Sequence, residues 1–374
     1  MLAVATTLGL GVQVPAVVAI GYVSRHYGLA AAGAALLSLP ALTAIRRGHG
    51  QWHRSRWELY LGLWPFFAWW AICLAFLLFA PLAFAIAALS PVTLKTALLW
   101  AGAAAIVGGL RALRRRPRII RHDIPVVNLP PALDGYRIAQ ISDLHCGPFV
   151  SAGQIDRWVA RVNGLGADLI AVTGDLIASG DGYVSPVARA LGGLRARDGA
   201  FACMGNHDYF TDGDVLAGAL EGHGITVLRN RGVVIGRGAG RFFMAGVDDT
   251  WTGRHDLALA LSQRSKHGDC PTVLLAHDPA LFPAAVERGV DLTLSGHTHG
   301  GQIAFPLAPR RWNLARIITP FTGGFYRDGA SSIYVNRGLG FTGPPVRFGA
   351  APEIAVLTLR CAAAADSDLA SVAS

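Results

Sequence analysis

The sequence predicts an α/β domain with layered β-sheets, preceded by an α-helical membrane region, and three observations carry that prediction. Uncharged apolar runs fill the first third of the chain. Past His122, short strand-like apolar runs alternate with amphipathic segments. Several of these runs end in clusters of Asp, Asn and His, at intervals that fit one strand plus its return helix. A length of 374 residues suffices for two such units.

Charge is divided as unevenly as hydropathy. Twelve Lys or Arg and a single acid, Glu58, fall within the first 121 residues, so the net charge of +9 belongs to that third and the remainder is slightly acidic. A nucleic-acid-binding protein would carry its positive charge on the folded domain that meets phosphate, so no nucleic-acid polymer is expected as a partner. The basic balance reads instead as a membrane signal. Five scattered cysteines, Cys73, Cys146, Cys203, Cys270 and Cys361, show no paired spacing, which argues against a disulfide framework and for a reducing compartment. Cys146 reads as a small apolar filler.

Residues 2–24 carry no charge and are long enough to span a hydrocarbon layer of roughly 20 residues. A signal peptide would need a basic leader, and further apolar segments follow at once. Residues 28–45 form a second run, 59–94 hold an uncharged third, and 97–110 a fourth and weaker one. Arg46, Arg47, Arg54 and Arg56 lie between spans two and three. Arg111, Arg114, Arg115, Arg116, Arg118 and Arg121 follow span four, while only Arg25 and Lys95 occupy the alternate loops. The positive-inside rule then gives about four transmembrane helices in an inner or plasma membrane. Both basic clusters, the amino terminus and everything after residue 111 are cytoplasmic. The second cluster either holds anionic headgroups or serves as a topology determinant alone. The membrane region is expected over 1–121.

From 122 to 361 strand-like runs stand at 138–141, 169–172, 200–204, 273–276, 292–294, 333–335 and 354–359, with amphipathic helices at 151–163, 186–194 and 214–222. Glycines at 232, 236, 238 and 240 break 225–247 into hairpins, and the small, polar tail 362–374 is expected to be disordered.

The chemistry sits where strands end. Strand 138–141 runs into Ser142-Asp143-Leu144-His145, strand 169–172 into Thr173-Gly174-Asp175, and strand 200–204 into Gly205-Asn206-His207-Asp208. Asp143 and Asp175 are 32 residues apart and Asp175 and Asn206 are 31, so these groups recur at the carboxyl edge of neighbouring strands, where open α/β sheets bind ligands. Any one cluster alone reads equally as a turn or a helix cap. Joined by His277 after a fourth strand, and by His297 and His299 in the glycine-flanked turn Gly296-His297-Thr298-His299-Gly300-Gly301, they bring three oxygen donors and four imidazoles to one edge. Seven donors exceed one tetrahedral zinc and suit two cations with a bridging carboxylate, the arrangement that hydrolyses phosphate esters.

Asp143-x-His145, Gly174-Asp175, Gly205-Asn206-His207-Asp208, His277 and Gly296-His297-Thr298-His299 resemble, in order and spacing, the five motif blocks of the calcineurin-like metallophosphoesterase family. The resemblance covers about 135–360 and implies an αββα sandwich. Gly300-Gly301-Gln302 and Asn336-Arg337-Gly338-Leu339-Gly340 resemble a bacterial membrane-anchored branch related to UDP-2,3-diacylglucosamine pyrophosphatase-like phosphodiesterases. The resemblance implies that Asp143, His145 and His299 hold one metal, that Asn206, His277 and His297 hold the other, and that Asp175 bridges. His207 then acts as general acid with Asp208 orienting it. Manganese, iron or zinc would each accept this donor set. The implied function is a membrane-anchored phosphodiesterase or pyrophosphatase acting on phosphate esters, lipid-linked or nucleotide-linked. The alternative is a non-catalytic membrane protein that binds metal or phosphate. Arg337 either clamps a substrate phosphate or lies on a solvated loop. Tyr209, Tyr326 and Phe325 either line the pocket or pack around it. His223 and His255 lie outside the blocks.

Overall fold

A computed structural model of the chain describes residues 9–46, 57–114, 116–127, 129–238, 240–268 and 270–362. Residues 2–8 of the first expected span, Arg47, Arg54, Arg56 and Arg115 of the basic clusters, and 363–374 of the expected disordered tail lie outside the described residues. The chain divides into two compact units, Met1–Arg114 with Pro344–Arg347, and Arg115–Gly343 with Phe348–Ser374.

The first unit is helical: α1 (Val14–Ser24), α2 (Tyr27–Arg46), α3 (Trp64–Leu89), entered through a π-turn at Glu58–Leu63, and α4 (Leu94–Ala112). Stretches Tyr27–Ala44, Glu58–Leu89 and Leu94–Ala112 are long and apolar enough to cross a membrane, and Gly9–Ser24 is apolar but shorter over the described residues. Val14, Leu36, Leu82 and Phe84 are exposed on the helix surfaces, which suits a lipid solvent better than water. The buried Gln13 amide is satisfied. Its Nε2 donates to Ser38 Oγ at 3.1 Å and its Oε1 accepts from Trp69 Nε1 at 2.8 Å, so one polar group ties α1 to α2 and α3.

The second unit holds two six-stranded sheets. In the first the order is β1 (Arg118–Val127), β12 (Glu353–Ala362), β2 (Arg137–Ile141), β3 (Leu169–Thr173), β4 (Ala200–Cys203) and β5 (Ile225–Val227). In the second it is β10 (Gly324–Asp328), β11 (Ser331–Val335), β9 (Leu292–Ser295), β8 (Thr272–Leu275), β7 (Gly240–Gly246) and β6 (Arg231–Arg237). Strands β2 to β5 run parallel, as do β7, β8, β9 and β11. Alternate residues explain the layering. Ile138, Leu169, Ala171 and Phe201 meet Val273, Leu275, Leu292 and Leu294 between the sheets. Ala139, Ile141, Ile170 and Val172 face helices α5 (Ala152–Asn163), α6 (Val184–Leu191) and α7 (Gly213–Gly222). In α5 the buried stripe is Ile155, Trp158, Val159 and Val162, at helical spacing. Across the second sheet, Phe243, Ala245 and Leu274 pack on α8 (Leu257–Leu261) and α9 (Phe282–Glu287) through Leu257, Ala260 and Ala285. The layers are helix, sheet, sheet, helix, so the fold is an αββα sandwich.

The boundary expected at residue 122 falls inside β1, because that strand pairs in parallel with β12 from Arg118↔Glu353 to Val127↔Ala362. Arg118 and Arg121 are therefore strand residues. The region 225–247 is one hairpin, β6 with β7, while β5 joins the other sheet beside β4.

Candidate metal centre

The donor-bearing loops follow β2, β3 and β4 in one sheet and β8 and β9 in the other, and hydrogen bonds sew the two edges together. Gln140 Nε2 donates to the Ser295 carbonyl at 2.9 Å, and His277 Nδ1 donates to the Thr173 carbonyl at 2.7 Å. The His297 N–H donates to Asp143 Oδ1 at 3.0 Å. Asp143, His145, Asp175, His297 and His299 all have left-handed backbones, with φ of 51°, 47°, 54°, 71° and 53°. Each such conformation costs a non-glycine residue roughly 1–2 kcal/mol, and five in one place mark a site that the surrounding fold holds against local preference. The glycines let the loops close up. A Cβ on Gly205 would lie 2.3 Å from Asp175 Oδ1, and one on Gly174, at φ +77°, would lie 2.7 Å from His277 Nδ1.

The structure brings the sequence-predicted donors together. His145 Nε2 and His299 Nε2 stand 3.0 Å apart, with His299 Nε2 3.4 Å from Asp143 Oδ1. On the other side His297 Nδ1 lies 3.1 Å from Asn206 Oδ1 and 3.3 Å from His277 Nε2. Between these groups Asp175 Oδ2 is 3.6 Å from His145 Nε2 and 3.2 Å from His277 Nε2. Because the Nδ1–H of His277 is spent on a carbonyl, its Nε2 lone pair points inward, as a ligand's would. Buried nitrogens and carboxylates crowded this tightly fit a cation cluster.

The electrostatics say the same. Burial pushes the Asp175 carboxyl up, but the imidazoles of His277, His145 and His207 outweigh it and hold it well below its ordinary range. Burial lowers His277, and Asp175 more than reverses this, raising it to about 10. His297 is lowered by burial and by the neighbouring His277. Without a cation, the positive charge that faces Asp175 is a proton on His277.

His207 and Asp208 do not pair as expected. His207 Nδ1 meets the Ala178 carbonyl at 3.0 Å, and its ring packs edge-on against His145. The fully buried Asp208 carboxylate instead accepts four backbone N–H groups, from Leu176 (2.7 Å), Gly205 (2.9 Å), Asp175 (3.0 Å) and Ile177 (3.3 Å). Burial and the charge of Asp175 push it up to about 7, against the pull of the Gly205 and Leu176 amides. Asp208 thus fixes the loop bearing Asp175 to the loop bearing Asn206. Asp208→Ala is expected to destabilise the fold by about 3 kcal/mol or more, since each stranded buried donor costs roughly 1–3 kcal/mol. Asp208→Asn, which keeps an acceptor oxygen, should cost clearly less. Denaturant titration of the purified variants checks the order.

Arg337 is anchored to the neighbouring strand β12. Its Nη1 pairs with the buried Glu353, which also accepts from Tyr334 Oη at 3.1 Å. Tyr209 donates to the buried Asp248 and lies under Arg254, with ring-to-guanidinium separation 4.8 Å, while Tyr326 packs on Phe321 and Phe325 on His122. Sequence reasoning missed Thr342, whose Oγ1 is 2.8 Å from His299 Nε2 and 3.2 Å from His145 Nε2. It also missed two exposed aromatics at the rim, Trp251 with its ring 5.2 Å from that of His297, and Phe210 with its ring 4.6 Å from that of His207. Phe210, two residues past Asp208, carried a positional signal; Thr342 and Trp251 carried none.

Comparison with known proteins agrees with this geometry. Residues 136–301, which contain every donor-bearing loop, match the profile of the calcineurin-like phosphoesterase family. The chain is 36% identical over 251 residues to YkuE, an uncharacterized metallophosphoesterase of Bacillus subtilis (strain 168), covering 64% of this chain and 84% of that one. It is 35% identical over 273 residues to a Bos taurus transmembrane protein with metallophosphoesterase domain, covering 68% of this chain and 60% of that one. A Danio rerio protein of the same name is 34% identical, and the chain again spans 60% of its length. A fold, a donor cluster and a bacterial relative matched over most of its length agree: the chain belongs to the calcineurin-like metallophosphoesterase family, whose members use divalent metals.

Proposed function

We propose that this protein is a membrane-anchored dinuclear-metal phosphodiesterase or pyrophosphatase, with its catalytic domain at the cytoplasmic face and lipid-linked or nucleotide-linked phosphate esters as substrates. One observation supports the catalytic reading: Asp175 Oδ2 lies 3.6 Å from His145 Nε2, which clusters with Asp143 and His299, and 3.2 Å from His277 Nε2, which clusters with His297. Those residues, with Asn206, would hold two divalent cations, manganese, iron or zinc. When bound, such a pair supplies Lewis acidity toward a phosphoryl oxygen and lowers the pKa of water. The chain itself does the rest. Asp208 and the cross-sheet hydrogen bonds hold the donors in register, and His207 delivers a proton from Nε2 to the leaving oxygen while its Nδ1–H rests on the Ala178 carbonyl.

Three helices long and apolar enough to cross a bilayer support the anchor, as do relatives whose name includes a transmembrane part. The lipid-linked substrate follows from the anchor, which keeps the site where such esters lie, and from the resemblance to UDP-2,3-diacylglucosamine pyrophosphatase-like enzymes. The test is turnover by the full chain of a bis-aryl phosphate and of a UDP-linked lipid. Chelation should abolish both activities and manganese should restore them. A preparation with two metals bound that turns over neither substrate contradicts the proposal.

A further inference from the structure

Between the His297–His299 turn and β10 the chain makes an excursion, 302–323, that is apolar where it should be polar. Phe305, Leu307, Trp312, Leu314, Ile317 and Ile318 are all exposed, Leu307 at 87% and Ile317 at 84%. Elsewhere on this unit, large exposed apolar side chains such as Val215 and Leu259 stand singly. Six within residues 305–318 concentrate exposed apolar side chains in one segment, as partner surfaces do. The segment is not loosely folded. The Phe305 N–H donates to the Trp312 carbonyl at 2.8 Å, Asn313 Oδ1 accepts from the Arg316 N–H at 3.1 Å, and Asn313 Nδ2 donates to the Pro309 carbonyl at 2.8 Å. A hairpin hydrogen-bonded this well, with its apolar side chains turned outward, is shaped for an apolar neighbour.

Charge identifies the neighbour. There is no acid between Asp291 and Asp328, and Arg311 and Arg316 are exposed among the apolar side chains. Apolar and aromatic residues interleaved with arginines are the pattern that settles into the headgroup–acyl boundary of an anionic bilayer. The same chain carries helices apolar and long enough to bring it to a bilayer.

We infer that residues 305–318 seat in the interface of an anionic membrane and hold the mouth of the metal centre against the lipid. The excursion is braced to that centre. Thr298 Oγ1 donates to the Thr322 carbonyl at 2.9 Å, and Gln302 and Thr342 exchange two hydrogen bonds, each 2.9 Å. Thr342 in turn touches His145 and His299. The inference rests on the proposed function only for the substrate, because a lipid-borne phosphate ester could then reach the site without leaving the interface.

The test places a photo-crosslinking phenylalanine at Leu307, Ile317, Val215 or Leu259 of the full chain in nanodiscs containing phosphatidylglycerol, with adducts read by mass spectrometry. Lipid adducts at 307 and 317 several-fold above those at 215 and 259, and falling in phosphatidylcholine discs, are expected. Equal yields at all four positions, yields indifferent to lipid charge, or adducts to this chain's own helices or a second copy overturn the inference. A second measurement uses Leu307→Asp/Ile317→Asp. Turnover of a soluble bis-aryl phosphate should be unchanged, while kcat/KM on a lipid-linked ester in discs falls roughly tenfold or more. An unchanged kcat/KM on the disc-borne ester counts against the inference. Adduct formation needs no catalysis, so an inactive preparation that still labels lipid at 307 and 317 removes the proposed activity and leaves the membrane surface standing.

Discussion

Asp175→Asn is expected to lower metal-dependent phosphodiester hydrolysis by on the order of 10²–10³-fold and to leave fewer than two metals bound per chain. The substitution isolates charge from shape. An asparagine oxygen can still accept the His207 N–H that Asp175 Oδ1 now accepts at 2.9 Å, and the backbone N–H that donates to Asp208 is untouched, so the loop keeps its anchors. What disappears is one of the two formal negative charges among the seven donors, the other being Asp143. Two divalent cations bring four positive charges into a buried site, and a lone carboxylate leaves most of that uncompensated. The loss falls at the position within reach of both His145 and His277, so both cations should feel it. Metal content by mass spectrometry and steady-state turnover measure the two effects together. A variant that keeps both metals and turns over within a few-fold of the parent would contradict the bridging role.

The fold was legible where strands are buried on both faces. β2, β3, β4, β8 and β9 pack against the other sheet on one side and against helices on the other, so their sequences read as mostly apolar runs, interrupted by Gln140 in β2 and Thr293 in β9. β1 and β10 are edge strands with charged and half-exposed residues, Arg118 to Asp123 in one and Arg327 and Asp328 in the other, and their pattern differs little from a polar loop. The site was legible for a related reason. Each of its loops begins directly after a buried strand, so a polar residue there stands out, and the spacing of about 30 residues places the first three loops on one edge. Side-chain partners were not legible. Asp208 is adjacent to His207 in sequence, which suggested an orienting pair, but its carboxylate is bound by amides of residues 175 to 177 and 205. Arg337 looked free in a glycine-rich turn because its partner, Glu353, opens the next strand. Such contacts depend on how strands stack, and sequence order does not encode that.

His207→Ala is expected to slow hydrolysis of alkyl phosphodiesters by roughly 10²–10⁴-fold and that of nitrophenyl esters far less. An alkoxide leaves only with a proton, whereas a nitrophenolate departs as a stable anion. The geometry restricts the donor to one atom: with Nδ1–H on the Ala178 carbonyl at 3.0 Å, only Nε2 can pass a proton outward. Phe210, against the same ring at a centroid distance of 4.6 Å, limits the imidazole's rotation. A second role competes, because a ring nitrogen of His207 lies within 4.8 Å of donor atoms of His145 and Asp175, close enough for the three to share one ion. The two roles give different signatures. If His207 is the acid, the alanine variant keeps its metal content and its rates become steeply dependent on leaving-group pKa. If His207 is a ligand, metal is lost and every substrate slows by the same factor. Rates across a series of leaving groups, with metal content measured on the same samples, decide between the two, and a uniform fall accompanied by metal loss would move His207 from proton donor to ligand.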